Sequence, residues 1–137
     1  MPTTTVVRYV ALLLALLGIV MLIWRTASTG SGPGYDTVRL IHILVALGFI
    51  GLLEMALARS KREKALNPQG RQLGMVGRAL ATIALLIGIF LLLSLFLGWI
   101  TGTTYSVVVY IHALFGICAV GVAITVFSSR YRAARAG

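Results

Sequence analysis

The amino-acid sequence predicts an all-α integral membrane protein, a bundle of four transmembrane helices. Of its 137 residues, 59% are hydrophobic and only 11% are charged. The apolar residues form uninterrupted stretches of about 20 residues, the length that a helix needs to cross a bilayer. Because backbone groups cannot stay unpaired in lipid, such long stretches favour helices over barrel strands. We expect the spans at residues 6–24, 37–58, 76–99 and 103–127.

Each stretch has its own features. The first lies where a signal peptide would, but it lacks a small-residue cleavage site and has a counterpart in the third stretch, so we interpret it as a helix. The second contains His42 within VRLIHILVAL, and the fourth contains His112 in the similar setting VVVYIHALFG. The single cysteine, Cys118, also lies in the fourth stretch, where we expect a small buried residue that forms no internal disulfide.

The basic residues predict the orientation in the membrane. Of the 12 Lys and Arg residues behind the net charge of +9, Arg25 and Arg39 flank one side of the predicted helices. The other ten flank the opposite side: Arg8, Arg59, Lys61, Arg62, Lys64, Arg71, Arg78, Arg130, Arg132 and Arg135. By the positive-inside rule, both termini and a basic loop at residues 59–72 should be cytoplasmic, in a prokaryotic cell membrane. Attraction to anionic lipid heads explains this charge without nucleic-acid binding.

The two halves of the chain resemble each other. A shift of 70 residues aligns residues 1–67 with 71–137 without a gap and makes fifteen positions identical, among them Arg8/Arg78, Gly18/Gly88, Tyr35/Tyr105, His42/His112 and Arg62/Arg132. We interpret the chain as a single domain, residues 1–137, built from two tandem two-helix repeats. The repeats would enter the membrane in the same orientation, related by a pseudo-twofold axis along the membrane normal.

His42 and His112 are the only two histidines in the chain, and the repeat places them at equal depth. We expect each about six residues inside the outer end of its helix, about 9 Å deep. Ionisable residues at such depth usually face the bundle interior. Zinc or copper would need further ligands that do not lie nearby, whereas haem takes two axial ligands on opposite faces.

The neighbours of the histidines fit a haem site. Small residues at i+4, Ala46 and Gly116, would leave room for a porphyrin. Tyr35 and Tyr105 at i−7, together with Arg39 at i−3, would lie near the propionates at the outer surface, where Tyr35, Tyr105, Trp24 and Trp99 also fit a belt of interfacial aromatics.

Other interpretations of these residues stay open. The histidines could form a hydrogen-bonded pair without a cofactor, or bind a chlorophyll-type pigment or a quinone. Arg39 could pair with Asp36 on its own helix. Glu54, the only carboxylate within a predicted span, is expected to pair with Arg59 or Arg78, or to extend toward the membrane surface, rather than to carry protons.

The arrangement resembles one four-helix half of the haem A synthase family, and also small b-type membrane cytochromes. His42 and His112 match the ligand positions on the second and fourth helices of that family, and the run WRTASTGSGPG at residues 24–34 is similar to its Gly/Ser-rich segment. The family's carboxylate before a ligand is replaced by Arg39 and Val109, and the arginine after it by Ile43 and Ala113. The resemblance therefore implies a haem-holding bundle rather than that enzymatic activity.

We therefore expect one haem b per chain, held by His42 and His112 near the outer membrane face. Two imidazoles fill both axial positions of the iron, which favours electron transfer over catalysis. The partners would be the lipid bilayer, other membrane subunits and a quinone or an external electron carrier. The alternatives are a cofactor-free accessory subunit of a respiratory or photosynthetic complex, and a haem-modifying enzyme related to haem A synthase.

Overall fold

A computed structural model of the chain describes residues 3–27 and 32–128 and contains four α-helices in these ranges. The helices are α1 (Thr3–Ala27), α2 (Pro33–Arg62), α3 (Pro68–Leu97) and α4 (Gly102–Val126). Each is long and apolar enough to span a membrane. The predicted all-helical membrane fold is confirmed at this level. Residues 28–31 of the Gly/Ser-rich segment, and Arg130, Arg132 and Arg135, lie outside the described residues.

The helices α2 and α3 are longer than their apolar stretches. Pro33 opens α2, where its fixed φ suits the first helical turn. The last turn of α2 is basic, which complements the negative end of the helix dipole. Asn67 caps α3, because its side-chain oxygen accepts a hydrogen bond of 2.7 Å from the Gly70 amide. The helices therefore extend into the predicted loop at residues 59–72, and residues 63–67 join them.

A glycine stops α3. Gly98 adopts a left-handed φ of 66°, and its amide donates to the carbonyl of Ser94 at 2.9 Å. Glycine has no Cβ to clash in this conformation, which makes it a common helix terminator. Trp99 consequently lies outside α3, and residues 98–101 lead directly into α4.

The four helices form a closed ring. The helix α1 packs against α2 and α4, and α3 packs against α4 and α2. The helices α2 and α4 therefore lie at opposite corners of the bundle. We call the end where α2 and α4 begin, near Tyr35 and Tyr105, the tyrosine end. The opposite end, which carries the connection at residues 63–67, is the basic end.

The half of the bundle toward the basic end is closely packed. Its most deeply buried apolar residues, each no more than 2% exposed, are Val7, Ala11, Phe49, Leu53, Ala56, Ala119, Ala123 and Val126. A Cβ placed on Gly77 of α3 would lie 2.8 Å from Cγ1 of Val122 on α4. Small residues thus let α3 and α4 approach closely, as they do in many membrane bundles.

Ion pairs account for all three acidic residues of the chain. Asp36 binds Arg39 at 2.8 Å within α2, and Glu63, directly after α2, binds Arg59 at 2.6 Å. Glu54 of α2 binds Arg78 of α3 at 2.6 Å. One of the predicted partners of Glu54 is therefore confirmed, and the pair joins two neighbouring helices.

The expected burial of Cys118 is wrong, because its side chain is exposed on the surface of α4. The bundle interior and the lipid are both apolar, so a membrane helix lacks the polar face that reveals burial in a soluble protein.

Candidate functional site

The two histidines meet in the half of the bundle toward the tyrosine end. His42 comes from α2 and His112 from α4, and their ring centroids lie 6.3 Å apart with an interplanar angle of 74°. They lie nine and ten residues from the first residues of their helices, Pro33 and Gly102. This distance corresponds to about 14–15 Å at 1.5 Å per residue. Each histidine therefore lies farther from the start of its helix than the expected six residues, by three residues in α2 and four in α4.

His112 is held against α3. Its Nδ1 lies 2.9 Å from the carbonyl oxygen of Ala84, and as the protonated nitrogen it donates to that oxygen. A Cβ on Gly88 would lie 3.0 Å from Cε1 of His112 and 3.5 Å from Nδ1. The absence of a side chain at residue 88 thus lets the imidazole lie directly on the helix backbone. Because Nδ1 is engaged, Nε2 remains to bind a ligand.

His42 takes a similar place against α1 but is held less firmly. A Cβ on Gly18 would lie 3.5 Å from Cε1 of His42 and 4.0 Å from Nδ1. The Nδ1 atom is buried and has no hydrogen-bond partner among the described residues. The two histidines also make no hydrogen bond to each other. Each imidazole therefore faces a glycine of the preceding helix, but only His112 is fixed by a carbonyl.

A cavity of about 220 Å³ surrounds the two rings and is lined by all four helices. All seven residues predicted for the site line this cavity: His42, His112, Tyr35, Tyr105, Arg39, Ala46 and Gly116. The buried side chain of Phe49 lines it as well, where the closely packed half begins. Arg25 is the one further polar side chain of the described residues in the lining, which is otherwise apolar. A mostly apolar lining with a few polar groups is typical of small-molecule binding sites.

Two tyrosines lie at the mouth of the cavity in different environments. Tyr35 is only 7% exposed and packs edge to face on Trp24, with ring centroids 6.1 Å apart. Its burial places it beside the cavity rather than in an interfacial aromatic belt. Tyr105 lies under the guanidinium of Arg25, 4.8 Å from its ring centroid, within the range of a cation–π contact.

Arg25 crosses from α1 to α4 at this mouth. Its Nη2 donates to Oγ of Ser106 at 3.2 Å. A wider recess of about 750 Å³, also lined by Arg25 and Tyr105, adjoins the cavity at the tyrosine end. Arg25 has no carboxylate partner among the described residues, since the three acidic residues pair with other arginines. A positive charge therefore lies at the mouth of an apolar cavity, available to an anionic group.

Sequence reasoning missed four residues of this site. Gly18 and Gly88 are among the identical positions of the two halves, so the internal alignment held a signal for them. Arg25 was interpreted only as a topological marker. The carbonyl of Ala84 left no signal, because any residue at that position would supply the same backbone oxygen.

The site offers two metal-binding side chains. No group of three or more His, Cys, Asp and Glu side chains that could hold a metal ion occurs in residues 3–27 and 32–128. Structural and catalytic zinc sites commonly use at least three protein ligands. The histidine pair therefore suits a metal whose other ligands come from a cofactor.

Comparison of the chain with protein-family models, with characterised proteins and with solved structures finds no match. The chemistry of the cavity is consequently the basis for a functional proposal.

Proposed function

We propose that the protein is a b-type cytochrome-like membrane subunit that binds one haem between His42 and His112 and transfers electrons. One observation carries this proposal: the ring centroids of two histidines from opposite helices lie 6.3 Å apart in a largely apolar cavity. Two imidazoles that bind one metal from opposite sides at about 2 Å have ring centroids about 6 Å apart. The observed separation agrees with that value.

Residues around the histidines have the sizes that a flat cofactor requires. Four small residues adjoin the rings or line the cavity beside them: Gly18, Gly88, Ala46 and Gly116. At the mouth, Arg25 and Arg39 supply positive charge that would pair with the carboxylates of the cofactor. Arg25 is the better candidate, since Arg39 already binds Asp36.

The residues have distinct tasks in this proposal. His42 and His112 would hold the iron of the cofactor, and the apolar lining would keep water away from it. Haem supplies one-electron redox chemistry when bound. The chain holds it in place, sets its surroundings and brings its edge to the tyrosine end, where a quinone or an external carrier would exchange electrons.

Repetition and orientation belong to the same proposal. We infer that residues 1–67 and 71–137 are tandem repeats related by a pseudo-twofold axis. The recurring contact of Gly18 with His42 and of Gly88 with His112 supports this inference.

The positive-inside rule places the basic end in the cytoplasm and the tyrosine end outside. Electron exchange would then occur toward the outer face, together with other membrane subunits.

The alternatives have less support. A cofactor-free subunit would use the histidines to join α2 to α4, but the two rings share no hydrogen bond. A haem-modifying enzyme would need a carboxylate close before a ligand, where Arg39 and Val109 stand.

An optical spectrum tests the proposal. We expect protein purified mildly from its native membrane to show a low-spin b-type spectrum on reduction, and the pyridine haemochrome assay to give roughly one haem per chain. His42→Ala and His112→Ala should each abolish the low-spin signal, because each removes one axial ligand. Glu54→Gln is the matched control, since Glu54 lies outside the cavity lining, and it should retain the signal. A colourless native protein would favour the accessory subunit.

A further inference from the structure

The two histidines differ in how they are held. His112 has its Nδ1 at 2.9 Å from the Ala84 carbonyl and three ring atoms within 3.8 Å of a Cβ position on Gly88. His42 has a buried Nδ1 without a partner, and its nearest ring atom lies 3.5 Å from the Cβ position on Gly18. His42 and His112 are equivalent positions in the internal alignment. The alignment alone would therefore predict that both bind a metal equally strongly.

We propose that His112 is the fixed ligand of the metal and His42 the displaceable one, so that a small neutral ligand binds by replacing His42. This inference rests on the proposed haem site and adds a ligand-exchange function to it. The class of ligand is a neutral molecule that binds ferrous haem, such as carbon monoxide.

The hydrogen bond of a ligating imidazole explains the inequality. A metal-bound histidine commonly donates its other N–H to a carbonyl or carboxylate, which fixes the tautomer and makes the ligand more basic. Ala84 does this for His112. If Nε2 of His42 binds the metal, its Nδ1 must carry the proton and remain unpaired in an apolar site. The bond from the metal to His42 is therefore weaker than the bond to His112. Once released, the His42 ring is free to form a hydrogen bond.

The surroundings permit the exchange. On the His42 side, the cavity is lined by Gly18, Ala46 and Ile43, which hold no competing ligand. The exchange breaks one metal–nitrogen bond and forms one bond from the metal to the carbon of carbon monoxide. No electron is gained or lost, so the step needs no oxidant or reductant beyond the ferrous state.

The two single variants test the inequality through their haem content and spin state. We expect His42→Ala to retain haem in a high-spin form and to hold about tenfold more of it than His112→Ala, the range that loss of ligand support commonly produces. Added imidazole should return His42→Ala to the low-spin state but not His112→Ala. Monodispersity on size-exclusion chromatography is the check that both variants are folded.

Carbon monoxide binding to the reduced wild-type protein is the second measurement, and it does not depend on any variant. We expect saturable binding, with a spectrum that matches the carbon monoxide complex of His42→Ala. Equal haem content in the two variants, greater retention by His112→Ala, or a wild-type protein that does not bind carbon monoxide would each overturn the inference. These results leave the proposed function in place, whereas wild-type protein without haem refutes the proposed function itself.

Discussion

Two glycines determine how closely each imidazole lies against the neighbouring helix. Gly88 allows Cε1 of His112 within 3.0 Å of the position that a Cβ would take, whereas the corresponding distance at Gly18 is 3.5 Å. The first distance is too short for an ordinary contact, and the second is a normal van der Waals distance. The same substitution at the two positions should therefore have different results.

Gly88→Ala should displace His112 from the Ala84 carbonyl. Overpacking commonly costs about 1–3 kcal/mol, which exceeds the gain of about 1 kcal/mol from alanine in a helix. We expect lower haem retention and a changed low-spin electron paramagnetic resonance signal. Gly18→Ala is the matched control. Its haem retention and its low-spin signal should stay close to those of the wild type. An unchanged signal in Gly88→Ala would contradict the close contact at residue 88.

Arg25 should contribute more to haem binding than Arg39. A hydrogen bond to a charged group is worth about 1.5–3 kcal/mol, so Arg25→Gln should weaken haem binding by about tenfold or more. Arg39→Gln should have a smaller effect, because the Arg39 guanidinium already binds Asp36. Competition with a soluble haem-binding protein measures both affinities. A larger loss of affinity in Arg39→Gln than in Arg25→Gln would indicate that Arg39 binds the anionic groups of the cofactor.

For single residues, the sequence pointed to the rare residues of the cavity, the histidines, but not to common ones such as Ala84. Two histidines in an apolar chain are conspicuous, and the spacing to Ala46 and Gly116 on the same helix face follows from helix geometry. The bond from His112 to Ala84 joins residues 28 positions apart through a backbone oxygen. Such a bond depends on how α3 and α4 pack, which no local pattern records.

Among the helices, α3 and α4 share the most extensive contact. The Cβ position on Gly77 lies 2.8 Å from Cγ1 of Val122, while that on Gly74 lies 2.7 Å from Cδ2 of Leu57. Leucine can move the far end of its side chain, but a β-branched valine in a helix has one strongly preferred rotamer. Val122 therefore adapts less readily to a side chain at residue 77 than Leu57 does to one at residue 74.

Gly77→Ala should destabilise the bundle by about 1–3 kcal/mol through overpacking. Gly121→Ala on α4 is the control, because no atom lies within 4 Å of its Cβ position; it should be neutral or stabilise by up to about 1 kcal/mol. The free energy of unfolding in mixed micelles measures both. Equal values for the two variants would show that α3 and α4 do not depend on this contact.

The helix boundaries show where hydropathy stops being informative. The apolar stretches located all four helices, but α2 continues through Arg59 to Arg62, and α3 starts at Pro68. These end turns are polar and are stabilised by the dipole and by the Asn67 cap rather than by apolar burial. A prediction based on the apolar stretches therefore misses the last turn of α2 and the first turns of α3.

For the whole molecule, the distribution of charge predicts its orientation. Arg25 and Arg39 lie toward the tyrosine end, whereas Arg59, Lys61 and Arg62 end α2 at the basic end. From the positive-inside rule we expect the tyrosine end outside the cell. The four spans were predictable for the same reason, since length and hydropathy together define a membrane helix.

Cysteine labelling in intact cells tests this orientation. Thr104→Cys, at an exposed position in the first turn of α4, should react with a membrane-impermeant maleimide. Lys61→Cys, at the exposed end of α2, should react only after permeabilisation. The wild-type protein gives the background, since its Cys118 lies midway along α4 on a face turned toward lipid. Labelling in the reverse pattern would place the basic end outside.

Which faces of the helices point inward was less predictable than the spans themselves. Cys118 shows this, because it is exposed, contrary to expectation. In a soluble protein the polar face of each helix would have indicated the outside. Here an apolar side chain suits either the lipid or the interior, so packing alone decides.

The uneven filling of the bundle has a consequence for its local stability. Close packing toward the basic end gives that half many buried contacts, while the cavity leaves the other half with fewer. Local opening costs least where buried apolar contacts are fewest. The ligand-free protein should therefore exchange its amide hydrogens fastest near the histidines. A bound ligand would extend cooperative protection to the tyrosine end, so the cofactor would complete the fold as well as supply its chemistry.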